Sequence, residues 1–472
     1  MLHFRYLFFV FFMFSLTLNS QIKLPAFFGD NMVLQQNESI SIWGKDSPNS
    51  AIKISASWGE KTSAVSDSEG FWFSKIKTKK SSFDAHTLII EGSNTITLTN
   101  ILIGEVWFCS GQSNMEMPLK GLGKSKVLNA DKYLQTSNNK NIRLFNNPRT
   151  ASVTPEFDVK GKWVESNLES AKSFSAIGYI FGKTLYENLN VPIGIIESSW
   201  GGTKIESWIP IENVLKYENI QIPNTLPAEQ NKQKKPTALY NAMIYPFQDF
   251  KIKGILWYQG ESNRTNPLPY KSYMKDLIDS WRYQWKDKNL PFYFVQIAPF
   301  DYAKNKNASD MGADLIREAQ FKVSQQIPNT GIVITTDAGD CNDIHPSKKE
   351  IVAKRLSKWA LAEQYNLKDL KYKSAVLKKM SIKDDKIRLQ FKFQKNDYFL
   401  KTENVKGFEI ASQNKVFYPA QVSFSKNKKT LIIYSDQVKI PSAIRYGFED
   451  CFESNLKTKS GLPISIFRTD NW

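Results

Sequence analysis

The stretch Glu105-Val106-Trp107-Phe108-Cys109-Ser110-Gly111-Gln112-Ser113-Asn114-Met115 decides how this chain folds. Its first half is a short apolar run typical of a buried strand, and Gly111 then opens a turn that carries a serine. A serine hydroxyl is a weak nucleophile unless a neighbouring base takes its proton. If the serine in this turn is a nucleophile, one of the histidines of the chain is the expected base.

Histidine is scarce, since the 472 residues include three. His3 lies in a segment predicted to be cleaved, and His86 has no acid close after it and is interpreted as structural. His345 stands in the run Asp340-Cys341-Asn342-Asp343-Ile344-His345-Pro346. Imidazole titrates near neutral pH, and a carboxylate beside it fixes its tautomer. Together with Ser113, this run predicts a serine hydrolase.

Strand-like and helical patterns alternate from about residue 104 onward. Apolar runs lie at 105–108, 193–197, 252–257, 292–297 and 331–335. Helical periodicities cover 174–189, 270–285 and 313–326, and a last helix is predicted to begin with a capping box at 347–350. This alternation predicts a parallel sheet with helices on both faces.

Polar residues follow the first three apolar runs and precede the last helix. Ser113 follows the first run, Gly201-Gly202 the second and Gln259 the third, while His345 comes just before the final helix. Parallel sheets place their sites at the carboxyl ends of the strands, so we expect all of these on one edge. Acyl transfer also needs N–H donors for the oxyanion. Candidates are the Ser113 backbone, a glycine in 200–203 and a side-chain amide after the third strand.

Four regions are predicted along the chain. Residues 1–20 have the pattern of a secretory signal, whose apolar core of about a dozen residues is short of the roughly 20 that span a bilayer. Residues 21–102 are predicted to form a β-sandwich-like domain, 103–366 the catalytic domain and 367–472 a second β region. The mature protein is expected to be secreted or periplasmic and free of membrane.

The composition of the chain limits which ligands and macromolecules it is expected to bind. The net charge is +17, but the lysines are scattered, which favours a solvated basic surface over a nucleic-acid site. The three cysteines lack metal-ligand spacing, so neither a metal nor a cofactor is predicted. A disulfide between Cys109 and Cys341 and a pair of unpaired thiols both remain open.

Other interpretations of these residues exist. A Gly-Gln-Ser-Asn stretch is more often an ordinary turn than a nucleophile, and Asp343 is also suited to cap a helix. The rival chemistry is a glycosidase that pairs Glu261 with Asp343. That rival leaves Ser113 and His345 without a role.

Four blocks of sequence carry a resemblance to a known family. They are Ser110-Gly111-Gln112-Ser113-Asn114-Met115-Glu116, Ser199-Trp200-Gly201-Gly202-Thr203, Trp257-Tyr258-Gln259-Gly260-Glu261-Ser262-Asn263 and Asp343-Ile344-His345-Pro346. Together they resemble the sialate O-acetylesterase family of carbohydrate esterases, which are SGNH hydrolases. The resemblance extends over nearly the whole mature chain. It implies an α/β fold with a flavodoxin-like core of parallel strands, flanked by N- and C-terminal β domains.

The resemblance also implies roles for single residues. Ser113 would be the nucleophile, His345 the general base and then acid, and Asp343 the orienting acid. Many SGNH enzymes place that acid three residues before the histidine, where this chain has Asn342.

The oxyanion donors follow in the same way. The backbone N–H groups of Ser113 and Gly202 are implied, with a third donor from Gln259 or Asn263, of which Gln259 is favoured. Four side chains are expected to contact substrate: Gln112, Asn114, Glu261 and Asn263.

The expected activity is removal of O-acetyl groups from a sugar or glycan through an acetyl-enzyme. O-acetylated sialic acid is the first expectation. Acetylated xylan or another polysaccharide is the alternative, because the motifs fix the bond and not the sugar. A non-catalytic glycan-binding protein is the alternative from a different class, and the oligomeric state is left open.

Overall fold

The computed structural model describes residues 21–227, 231–305 and 312–472. The predicted signal, residues 1–20, lies outside the described residues. The N-terminal strands are β1 Val33–Gln35, β2 Ser39–Lys45, β3 Ala51–Ala56, β4 Lys61–Val65, β5 Phe71–Lys77, β6 Ser82–Glu91 and β7 Thr95–Gly111. Buried and exposed residues alternate along β5, as expected of a strand with one face on a core.

The central region of the chain is built on a largely parallel sheet. Its further strands are β8 Asn139–Asn146, β9 Trp163–Ser166, β10 Ile193–Ser199, β11 Gly254–Tyr258, β12 Phe292–Val295 and β13 Thr330–Val333. Their order is β13-β12-β11-β7-β10-β8-β9, with β9 antiparallel and the other neighbours parallel. Five of these strands, β10-β7-β11-β12-β13, have the flavodoxin-like order 2-1-3-4-5. The predicted sheet is confirmed, and β8 and β9 extend it beyond the prediction.

Helices cover both faces of this sheet. They are α1 Ser113–Glu116, α2 Ala130–Gln135, α3 Leu168–Ser173, α4 Ala176–Leu189, α5 Ile211–Val214, α6 Tyr270–Gln284, α7 Ala313–Gln326 and α8 Lys349–Glu363. Trp107 packs in the apolar cluster that holds α4 and α8, whereas Phe108 packs in the cluster that holds α6 and α7. Strands β10 and β11 are buried along their whole length. Most of their residues are apolar, as expected of strands that are covered on both faces. None of the helices in the described ranges is both long and apolar enough to cross a bilayer.

Strand β7 joins the N-terminal sheet to the core. Its first half pairs antiparallel with β6, and its second half lies between β10 and β11. The boundary predicted between residues 102 and 103 falls inside this strand. A continuous strand, and not a linker, therefore leads directly to Ser113.

The C-terminal region forms two four-stranded sheets. Its strands are β14 Val376–Lys383, β15 Lys386–Lys392, β16 Phe408–Ala411, β17 Phe417–Pro419, β18 Gln421–Phe424, β19 Thr430–Tyr434, β20 Ala443–Tyr446 and β21 Phe467–Arg468. The sheet orders are β14-β15-β19-β18 and β17-β16-β20-β21. These sheets enclose a separate apolar core, whereas the N-terminal strands share a core with the parallel sheet and its helices. The two β regions are thus distinct.

The cysteines pair differently from the first of the two expectations. Cys341 and Cys451 form a disulfide with a Cα–Cα distance of 5.6 Å. Cys109 is buried and free, because its side chain points from β7 toward α4, where Gly178 lies beside its Sγ. The pairing of Cys109 with Cys341 is therefore wrong.

The predicted capping box of the last helix is also wrong. Helix α8 begins at Lys349, and no side-chain hydrogen bond caps it. The Ser347 carbonyl accepts the Lys349 N–H at 2.8 Å. Glu350 instead accepts hydrogen bonds from Asn129 and Tyr133, each at 2.7 Å. The carboxylate therefore fixes α2 and its N-cap to α8.

Candidate active site

Three strand ends meet at one edge of the parallel sheet. Gly111 of β7 is in register with Ser199 of β10 on one side and with Tyr258 of β11 on the other. The Trp200 N–H donates to the Gly111 carbonyl at 3.1 Å, and the Gln112 N–H donates to the Tyr258 carbonyl at 2.9 Å. The turn that carries Ser113 is therefore held between the other two loops.

Two glycines make this close approach feasible. Gly111 has φ +140°, and a Cβ there would lie 2.2 Å from the Tyr258 carbonyl oxygen. A Cβ on Gly201 would lie 3.1 Å from Ser113 Cβ and 3.2 Å from Glu116 Oε2. Since these are backbone or short-side-chain contacts, larger residues would displace the turn. The second glycine block thus lies directly against Ser113.

Backbone N–H groups remain available beside the hydroxyl. Ser113 is the first residue of α1, where N–H groups have no partner within the helix. Gly201 donates its N–H to Glu116 Oε2 at 2.9 Å. Gly202 is exposed with φ +72°, and no described residue accepts its N–H. These are the features that an oxyanion site needs.

His345 lies in the loop before α8. Its backbone N–H donates to Asp343 Oδ1 at 2.8 Å. Within the described ranges, no hydrogen bond joins Ser113 Oγ to the His345 ring or that ring to the Asp343 carboxylate. Catalytic contacts of this kind are often longer without substrate and tighten in the complex.

Asn114 connects the serine turn to the histidine loop. Its Nδ2 donates to Glu261 Oε1 at 2.6 Å and to the Ile344 carbonyl at 3.0 Å. Its Oδ1 accepts from Lys349 Nζ. The residue after the candidate nucleophile is therefore bonded to the residue before the candidate base.

Burial shifts the proton affinities of this cluster. Burial lowers the pKa of His345, the Lys349 ammonium lowers it further, and Asp343 opposes both. Burial raises the pKa of Glu261, against the effects of Asn114 and Lys349. A histidine with a lowered pKa stays neutral, as a general base must, to a lower pH than an ordinary histidine does.

Gln259, the predicted third oxyanion donor, is bonded to neighbouring loops. Its side chain is fully buried, and its Nε2 donates to the Thr203 carbonyl at 3.0 Å and to Asn263 Oδ1 at 2.8 Å. Tyr270 donates to Gln259 Oε1 at 3.0 Å. Both amide hydrogens have protein partners in this arrangement, and the role of Gln259 as an oxyanion donor stays a prediction.

Three residues expected to contact substrate lie beneath the site. Asn114, Glu261 and Asn263 are only 1%, 3% and 2% exposed. Asn263 Nδ2 donates to Glu206 Oε2 at 2.7 Å, and its Oδ1 accepts the Ile205 N–H at 3.0 Å. Their side chains join the loops to one another, and direct contact with substrate stays a prediction for them. Gln112 is also buried, and its contact with substrate stays a prediction.

Glu116 and Arg149 are neighbours of the nucleophile that sequence reasoning missed. One oxygen of Glu116 holds the Gly201 N–H, and the other accepts from Arg149 Nε. The Arg149 side chain is 52% exposed. Glu116 comes three residues after Ser113, a weak local signal, whereas nothing near Arg149 in sequence points to the site.

The described residues contain no cluster of three or more His, Cys, Asp or Glu side chains suited to a metal ion.

Comparison with known proteins supplies the decisive observation. Residues 103–362 match the model of a family described as carbohydrate esterase, sialic acid-specific acetylesterase. The chain belongs to this family. The resemblance read from the four sequence blocks is thereby confirmed, and this carbohydrate esterase is a carboxylic ester hydrolase.

Relatives of the esterase cover most of its length. It is 28% identical over 440 residues to the human sialate O-acetylesterase, covering 82% of this chain and 80% of that protein. To the mouse sialate O-acetylesterase it is 29% identical over 422 residues, which are 76% of each. A solved carbohydrate acetylesterase from Xanthomonas citri is 33% identical, with a TM-score of 0.86 over 96% of this chain and 100% of that one.

Proposed function

We propose that this esterase removes O-acetyl groups from sialic acid or a related acidic sugar through an acetyl-enzyme at Ser113. The observation that carries the proposal is the position of Ser113, two residues after Gly111, which is in register with the ends of β10 and β11, and against the loop of Gly201 and the exposed Gly202. The names of the mammalian relatives support the choice of sialate.

The chemistry follows from these positions. Ser113 Oγ attacks the acetyl carbonyl while His345 takes the hydroxyl proton, and Asp343 stabilises the imidazolium. The oxyanion is bound by the N–H groups of Ser113 and Gly202. The bond to the sugar oxygen then breaks, and the sugar leaves with the proton from His345. Water attacks the acetyl-serine, again with His345 as base, and releases acetate.

The surroundings of Ser113 favour an anionic sugar. Arg149 is half exposed and is anchored to Glu116, whose other oxygen holds Gly201. A guanidinium has five N–H donors, and the ion pair accounts for only one of them. The remaining donors can bind a carboxylate. The net charge of +17 adds a general attraction for anions.

A neutral polysaccharide is the second candidate. The structural relative from Xanthomonas citri is described only as a carbohydrate acetylesterase, which leaves its sugar open. Acetylated xylan therefore belongs in the same assay.

We also propose that the protein is exported. The signal pattern of residues 1–20 is one support, and the Cys341–Cys451 disulfide is the other, because disulfides persist in oxidising compartments. Fractionation of cells that express the full chain tests this. A protein retained in the cytoplasm with residues 1–20 still attached would contradict it.

The first measurement is acetate release from O-acetylated sialic acid and from acetylated xylan, side by side. Ser113→Ala should abolish release from both while leaving the circular dichroism spectrum unchanged. Preference for sialate supports the proposal, and preference for xylan keeps the mechanism but changes the substrate. Activity that survives Ser113→Ala would show that the nucleophile is another residue.

A further inference from the structure

Lys349 is a buried cation that the reaction above does not use. It is the first residue of α8, and it is only 1% exposed. A buried ammonium is costly unless it is paired and hydrogen-bonded. Lys349 lies against the active-site loops, so the free-energy cost of burying it is connected with the structure of the site.

The contacts of Lys349 extend, through Asn114, to three segments of the site. Its Nζ donates to Asn114 Oδ1, on the helix that begins with Ser113. Asn114 in turn donates to Glu261, after β11, and to the carbonyl of Ile344, beside His345. One amide therefore joins three loops, and the ammonium fixes that amide from below.

We propose that Lys349 is a positioning residue of the esterase, whose ammonium group acts through Asn114 and Glu261 to hold the Ser113 turn against the His345 loop. The inference rests on the proposed function in its assignment of Ser113 and His345. It adds a residue that none of the four sequence blocks contains.

Several elements contribute charged or aromatic groups to the surroundings of Lys349. Glu261 and Asp343 face it, His345 lies on the same loop as Asp343, and Tyr258 of β11 presents its ring at 5.9 Å from Nζ. Behind Glu261 lies the cation of Arg264. Glu261 Oε2 is buried and has no hydrogen-bond partner among the described residues, and the charges of Lys349 and Arg264 both lower the pKa of this carboxyl.

The ammonium also acts on the base. Burial lowers the pKa of Lys349 to about 7, with Glu261 and Asp343 opposing the shift. While it is protonated, its charge lowers the pKa of His345. Removing this cation should therefore raise the pKa of His345, whereas loss of a purely structural contact would leave it unchanged.

The experiment reads the histidine directly. The chain has three histidines, so ring resonances of the ¹⁵N-histidine-labelled protein are few, and His345→Gln assigns the one of interest. In Lys349→Met we expect the pKa of His345 to rise above that of the wild type, because the cation that lowers it is gone. Lys348→Met is the matched control, because Lys348 stands at the same helix end and donates instead to the Asp337 carbonyl at 3.4 Å. Its His345 titration should equal that of the wild type.

A second variant covers the case in which Lys349→Met fails to fold. Lys349→Met combined with Glu261→Gln removes both buried charges and avoids an unpaired carboxylate. The double variant should show the same rise in the pKa of His345. The acidic limb of the pH profile of kcat/KM for 4-nitrophenyl acetate should move to higher pH by a similar amount. An unchanged His345 titration in either folded variant would overturn the inference.

The two proposals fail in different ways. Absence of acetate release from every ester would overturn the proposed function, while the histidine titration would still decide the role of Lys349. Normal acetate release together with an unshifted titration would overturn the inference alone.

Discussion

At the scale of single residues, the sequence predicted which loops follow the strand ends but not which bonds their side chains form. Ser113, Gly202 and His345 all lie where the strand ends predicted them. Gln259 follows its strand as expected, yet its amide is committed to Thr203 and Asn263. The partners of an amide depend on chain segments far away in sequence, which local patterns do not describe.

The proton affinity of His345 leads to a prediction on pH. Burial and Lys349 lower its pKa below the ordinary value of 6.5, so the neutral base should persist below that pH. Activity is then present above the lowered pKa and lost as pH falls through it. We expect kcat/KM for an acetyl ester to have its acidic inflection below pH 6.5. An inflection clearly above that value, in protein still folded by circular dichroism, would contradict this.

The role of Asp343 leads to a second prediction. Asparagine retains an oxygen that can accept the His345 N–H, but it removes the charge that stabilises the imidazolium. Asp343→Asn should therefore lower kcat by roughly 10²-fold or more, with KM little changed. Asn342→Ala, at an exposed neighbour, is the control and should keep kcat near the wild-type value. A normal kcat in Asp343→Asn would show that the residue only shapes the turn.

At the scale of elements, periodicity served well where the segments were long and apolar. The helix predicted over 313–326 is α7 without change, and those at 174–189 and 270–285 differ at their ends by two residues or fewer. β8 was missed because only four of its eight residues are buried, with polar residues on both sides. Helix α8 begins at Lys349, inside the predicted capping box, and Ser347 accepts the Lys349 N–H through its carbonyl while no side chain caps the helix.

The contact between two loops gives the element-scale prediction. A methyl group on Gly201 would press on Ser113 Cβ at 3.1 Å and on Glu116 Oε2 at 3.2 Å. Gly201→Ala should displace the nucleophile turn and lower kcat about tenfold or more, because small misplacements are costly in catalysis. Gly29→Ala, where the nearest atom is the Ala26 carbonyl oxygen at 3.3 Å, is the matched control. Equal kinetics in the two variants would show that the turn adapts freely.

At the scale of the whole molecule, the C-terminal sheets support the histidine loop. The Asp337 carboxylate, ahead of His345, pairs with Arg355 of α8 at 2.7 Å and with Lys457 at 3.0 Å. The Ser454 N–H donates to the Thr336 carbonyl at 2.8 Å. Contacts across more than 100 residues of chain leave no local pattern, which is why sequence predicted the C-terminal strands without their function.

The Cys341–Cys451 disulfide makes this support testable. It joins the catalytic loop to the C-terminal region across 110 residues, so it restricts the unfolded chain strongly. Cys451→Ser should lower the free energy of unfolding by roughly 2–4 kcal/mol. It should also reduce kcat/KM, since the loop ahead of His345 loses its anchor. Thermal unfolding with and without dithiothreitol provides the check.

Reductant should lower the melting temperature of the wild type toward that of Cys451→Ser and should leave the variant unchanged. The comparison with and without reductant reports on the Cys341–Cys451 disulfide, because Cys109 is buried and free and its thiol is unaffected by reductant. If the wild type melts at the same temperature in both conditions, then the C-terminal sheets hold the loop by their hydrogen bonds and ion pairs alone. The kinetic loss in Cys451→Ser should then be absent as well, because the loop would keep its position without the covalent link.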